Sequence, residues 1–176
     1  MQQRYTNTAI GFHWLIALMI IGAFTLGLVM TEMSLSPTRL KYYSWHKWAG
    51  VTILALASLR LLWRLSHAAP AYPPTMPGWQ KTAANGLHSV LYVLMFAVPL
   101  SGYFYTLAAG YPVVYFGLFE LPVLIAKNNE LKSVLKEVHF WLNMGMAACV
   151  GLHLAAALKH QFIDRDGILK RMMPST

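Results

Sequence analysis

The sequence holds one cysteine, Cys149, six acidic residues and no run of basic ones. A single thiol excludes an internal disulfide framework and a cysteine metal cluster. Cys149 reads as a small core residue. Charged residues make up 11% of the 176, where a soluble domain carries about a quarter. That scarcity excludes an ordinary soluble fold. The net charge of +8 comes from cations scattered between apolar segments, so it signals membrane topology and anionic lipid rather than nucleic acid. Internal repeats and low-complexity tracts are absent as well.

What is present is apolar surface: 57% hydrophobic residues and a mean hydropathy of +0.46. Four segments have the roughly 20 residues needed to cross a bilayer. They are "AIGFHWLIALMIIGAFTLGLVM" (9–30), "WHKWAGVTILALASLRLLWR" (45–64), "NGLHSVLYVLMFAVPLSGYFYTL" (85–107) and "VHFWLNMGMAACVGLHLAAAL" (138–158). The expected fold is all-α, a transmembrane four-helix bundle forming one domain over 1–176. The first segment is too long for a signal-peptide core and is expected to stay as a span. Trp45, Trp48, Trp63, Trp79 and Trp141 lie near span ends, as aromatic belts do. Pro99 falls inside the third span and is expected to kink it.

The linker "SHAAPAYPPTMPGWQKTAA" is proline-rich and reads as a surface loop. Segment 108–130 is apolar but broken by Pro112, Gly117, Glu120 and Pro122, which predicts an interfacial cap on the bundle rather than a fifth span. Eight lysines and arginines (Arg4, Arg60, Arg64, Lys81, Lys159, Arg165, Lys170, Arg171) fall on the side of the termini. Six (Arg39, Lys41, Lys47, Lys127, Lys132, Lys136) fall on the other. The positive-inside rule then puts both termini in the cytoplasm and the 108–130 segment in the periplasm.

Histidine is the residue out of place. His13, His46, His88, His139 and His153 lie in or at the spans, where ionisable side chains are rare and functional by default. Sorted by depth, His46 and His139 form an outer layer, and His13, His88 and His153 an inner one. His139 and His153 are 14 residues apart, so they share one helix face with about 21 Å of rise between them. His67 reads as a solvated loop residue, and His160 as a cation at a helix C-terminus. Zinc would require a compact set of three or four ligands. Two imidazoles facing each other across a bundle instead suit the axial positions of a haem iron, and the fourth helix becomes the shared wall of two stacked cofactors. Gly11, Gly50, Gly145 and Gly151 lie near the histidines, where small residues let a macrocycle or a neighbouring helix approach. A proton or metal transporter is the rival reading, but proton relays recruit carboxylates, and the spans carry almost none.

With "GFHW" opening the first helix, "WHKWAG" the second, and "VHFW" and "GLHL" on the fourth, the chain resembles the bacterial cytochrome b561 family over essentially its whole length. The resemblance implies a bundle enclosing two b-type haems in the bacterial inner membrane. It implies His46 and His139 as axial ligands of the outer haem, and His13 and His153 as those of the inner one. Depth alone leaves His13 and His88 open; the resemblance selects His13. It also implies a superoxide:ubiquinone oxidoreductase, a superoxide oxidase, with superoxide and ubiquinone as small-molecule partners and no obligate protein partner.

His88, beside the inner site, is the first candidate for the quinone, ahead of Lys81 and Asn85 on the same helix. Arg39, Lys41, Lys47, Lys132 and Lys136 are candidates for steering an anion, with solvated loops or propionate neutralisation as the plainer account of them. The alternative function is a haem b subunit that joins a periplasmic dehydrogenase or hydrogenase to the quinone pool, with "YPVVYFGLF" as its docking surface.

Overall fold

The computed structural model describes residues 4–174. The few residues of the expected 1–176 domain beyond these lie outside the described residues. Four long helices account for most of the chain: α1 (Asn7–Glu32), α2 (Pro37–Ser66), α3 (Gly78–Ala108) and α4 (Asn129–Lys159). A short antiparallel hairpin, β1 (Val114–Tyr115) and β2 (Phe119–Glu120), joins α3 to α4. All four helices are long and apolar enough to cross a membrane.

The helices run past the apolar segments because local chemistry extends them. Ser36 caps α2, its Oγ accepting from the Arg39 N–H at 3.2 Å, with Pro37 preset for the first helical position. This adds two turns ahead of residue 45. Asn128 caps α4 by accepting from the Leu131 N–H at 2.9 Å, which adds polar turns ahead of residue 138. Thr6 does the same for α1, accepting from Ala9 at 3.2 Å. α3 continues through Pro99, which offers no N–H to the preceding turn.

Within segment 108–130, residues 109–128 contain no helix; α3 ends at Ala108 and α4 begins at Asn129. The hairpin turns at Phe116 and Gly117, both at positive φ (48° and 75°), which suits glycine but is strained for phenylalanine. Trp48 on α2 anchors it, donating from Nε1 to the Val114 carbonyl at 2.8 Å and stacking on Phe116 at 4.7 Å.

Few side chains are fully buried. Ile16, Ala57, Leu94, Met95 and Met146 form the central cluster, one or two from each helix. Many large apolar residues, such as Leu18, Leu62, Val93 and Leu154, point outward. In water that would be an aggregation surface; in lipid it is the expected exterior. α1 packs on α2, α2 on α3 and α3 on α4. The α1–α4 and α2–α4 pairs make no comparable backbone contact. α4 therefore faces two gaps, and the histidines fall in those gaps.

Candidate functional site

His46 of α2 and His139 of α4 meet across one gap, with ring centroids 6.3 Å apart and planes at 90°. His46 Nδ1 lies 3.0 Å from the Ala23 carbonyl of α1. His139 Nδ1 lies 3.1 Å from the Val98 carbonyl and 2.9 Å from Ser101 Oγ, both on α3. A carbonyl only accepts, so each Nδ1 carries the hydrogen and each Nε2 keeps its lone pair. This is the tautomer of a metal-ligating histidine with an oriented outer nitrogen. The Val98 carbonyl also accepts from Ser101 Oγ at 2.8 Å, so Ser101 donates to the carbonyl and accepts from the ring.

Two glycines make room for these rings. A Cβ at Gly102 would lie 2.8 Å from His139 Cε1, and one at Gly27 would lie 3.2 Å from His46 Cε1. Sequence reading missed both, because they sit on α1 and α3, far in sequence from the histidines they touch. At Gly11, Gly145 and Gly151 an added Cβ would meet nothing within 4 Å, and at Gly50 only Pro99 at 3.9 Å. These four do not crowd the rings.

The second gap lies between α1 and α4. His13 and His153 have ring centroids 6.0 Å apart, and His88 of α3 stands 5.2 Å from His153. Arg60 of α2 joins them, its Nη2 3.3 Å from His13 Nδ1. A guanidinium only donates, so this contact leaves the hydrogen of His13 on Nε2, the opposite tautomer from the outer pair.

The remaining candidates separate clearly. A cavity of about 1000 Å³ opens beside the outer pair, with both His46 and His139 in its wall. Arg39, Lys47 and Lys132 line it, as do Tyr43 and Tyr105. Lys41 instead lies over the Trp45 ring at 5.2 Å, and Lys136 is exposed and outside the cavity lining. Asn85 accepts a hydrogen bond from Tyr72 at 2.8 Å, which ties it to the 66–77 loop. Lys81 is half-buried two turns from His88.

His160 is not simply a cation at a helix end. α4 finishes in a π turn, His160–Asp164, where His160 Nδ1 lies 2.6 Å from Asp166 and 3.2 Å from Asp164. Lys159 Nζ holds Asp164 at 2.5 Å, so the cluster is an ion-pair network. His67 stacks on Trp63 at 3.8 Å and stays exposed.

Facing imidazoles between helices of membrane-spanning length suit the class of b-type membrane cytochromes. The sequence pattern of the prokaryotic cytochrome b561 family matches residues 4–175, and the chain belongs to that family. It is 34% identical to cytochrome b561 homolog 2 of Escherichia coli (strain K12), over 97% of this chain and 92% of that one. It is 30% identical to cytochrome b561 homolog 1 of the same organism, over 97% of both. It is 32% identical to the probable superoxide oxidase CybB of Yersinia pestis, over 99% of this chain and 98% of that one. The protein is thus a bacterial membrane electron-transfer protein that binds haem b.

The residues present fit that group. The His46–His139 and His13–His153 rings face each other across the two gaps at 6.3 and 6.0 Å, with His88 5.2 Å from His153, and imidazoles so placed would hold a haem iron.

Proposed function

We propose that the chain is a di-haem oxidoreductase that takes single electrons from superoxide at the hairpin end and delivers them to ubiquinone at the end bearing the termini. The observation that carries this reading is the two facing histidine couples, one in each gap beside α4. On this reading His46 and His139 hold the outer haem b, and His13 and His153 the inner one. Haem held by these histidines would supply one-electron transfer.

The chain's own side chains do the rest. Arg39, Lys47 and Lys132 make the rim of the large cavity positive, which concentrates an anionic donor beside the outer pair. Two superoxide anions each give up one electron and leave as dioxygen; ubiquinone takes both electrons and two protons. His88, adjacent to His153, is the hydrogen-bond donor for a quinone carbonyl, through its ring N–H. Asn85 and Lys81 are further from this work, the first because Tyr72 holds its side-chain oxygen. The excess of lysine and arginine at the end bearing the termini supports a cytoplasmic position for both, in the inner membrane.

The test is optical. Purified protein in detergent is exposed to an enzymatic superoxide source while its visible spectrum is followed. Fast, salt-sensitive reduction of a haem b band, reversed by ubiquinone, is the expected result. Haem that superoxide leaves oxidised would overturn the donor assignment.

One observation favours a second reading. The hairpin exposes Phe116, Leu118 (80%) and Phe119 together, an apolar tip on which a periplasmic dehydrogenase or hydrogenase could dock. Co-purification of such a partner with haem reduction by its substrate would favour that role.

A further inference from the structure

At the end bearing the termini, a second pocket of about 70 Å³ lies between α1, α2 and the C-terminal segment. Three guanidiniums, those of Arg4, Arg60 and Arg64, line it, and Tyr5, Thr6 and Tyr92 add hydroxyl groups. No carboxylate is in its wall among the described residues. Asp164 and Asp166, which precede the C-terminal segment, are engaged by Lys159 and His160. Arg60 lies about 9 Å inside the end of α2 by helical rise. Its side chain meets neutral groups there, the His13 nitrogen at 3.3 Å and the Tyr92 ring at 5.5 Å. A cation at that depth without a counter-charge is costly, and an anion relieves the cost.

Size and depth identify the anion. At about 70 Å³ the pocket has room for a small oxyanion group and not for an acyl chain. It sits at the N-cap of α1 and the last turn of α2. Trp14 and Trp63 lie at the same level, their indole N–H groups donating to the Met172 carbonyl and to Thr6. That is the headgroup level of a bilayer. The C-terminal segment closes one side: Arg4 donates to the Met173 carbonyl, and Arg171 Nη1 donates to the Ala71 carbonyl at 2.6 Å. Basic pockets between membrane helices are suited to anionic lipid headgroups.

We propose that Arg4, Arg60 and Arg64 form a binding site for the phosphate of one anionic phospholipid from the leaflet at this end. Occupancy gives the Arg60 guanidinium an anionic partner in addition to the neutral groups it already touches.

The experiment measures lipid retention by native mass spectrometry on the haem-loaded protein, exchanged into mixed micelles of phosphatidylglycerol and phosphatidylcholine. One phosphatidylglycerol retained per chain, in preference to phosphatidylcholine, is expected. The Arg4→Gln/Arg64→Gln double variant should lose that preference by about thirtyfold, at about fivefold per basic side chain, with its haem content unchanged. Arg64→Gln alone keeps the Arg4 contact to Met173 and should lose about fivefold, which guards against a misfolded double variant. Equal retention of the two lipids by the wild type would overturn the proposal. So would variants that shift a haem potential or lose haem while holding phosphatidylglycerol as before, since the guanidiniums would then serve a haem carboxylate.

Discussion

Replacing Gly102 by alanine tests the outer site at its tightest point. The new Cβ would lie 2.8 Å from His139 Cε1, 3.2 Å from Nδ1 and 3.4 Å from Nε2. Carbon atoms sit comfortably at about 3.5–4.0 Å, so the ring must retreat by roughly 0.7 Å or more. It is held by the Val98 carbonyl at 3.1 Å and Ser101 Oγ at 2.9 Å, and a retreat of that size breaks at least one of these bonds. One lost hydrogen bond costs about 1 kcal/mol, and crowding of the ring adds a similar amount. Together they weaken outer-haem binding by about 2 kcal/mol, or roughly thirtyfold. Alanine meanwhile favours the helix by about 1 kcal/mol over glycine, so α3 itself is not weakened. The expected result is a folded protein with normal helical content and a lower haem-to-protein ratio, the loss confined to one redox component. Gly22→Ala, where the added Cβ meets nothing within 4 Å, is the control and should keep full loading. A Gly102→Ala protein with two haems and unchanged potentials would refute the reasoning.

Alanine at His46 or His139 should each remove the same single haem, and alanine at His13 or His153 the other. Alanine at His88 should leave both haems and slow quinone reduction about tenfold or more, which haem assay and stopped-flow spectroscopy would separate. Loss of a haem from the His88 variant would instead make it the ligand in place of His13. Neutralising Arg39, Lys47 and Lys132 together should lower the rate of haem reduction by superoxide about tenfold and flatten its dependence on salt, while Lys136→Gln should change little. An equal effect from Lys136→Gln would argue against steering at the cavity mouth. Phe116→Asn should ease the positive-φ turn by about 1 kcal/mol, read as a higher Tm; a lower Tm would show that the stack on Trp48 outweighs the strain.

The four spans could be read from the sequence because lipid imposes a composition and a length, and both are one-dimensional quantities. The pairing of His139 with His153 along one face was also legible, because helical periodicity is local. The caps at Ser36 and Asn128 were written in the sequence too, but they lay outside the apolar windows, and the helices proved longer at both places. The 108–130 hairpin was legible only as a break in the apolar pattern, since its pairing depends on Trp48 of a distant helix.

Composition and periodicity alone thus determined a membrane bundle with histidines in two layers. What only the tertiary structure decided is how each imidazole is held. The Ala23 and Val98 carbonyls, Ser101, Gly27, Gly102 and Arg60 all come from helices other than the one whose histidine they touch. No local pattern encodes such contacts, because they arise from the packing of α1 on α2 and of α3 on α4. That same packing keeps α4 apart from α1 and α2, which turns rows of histidines on separate helices into facing pairs.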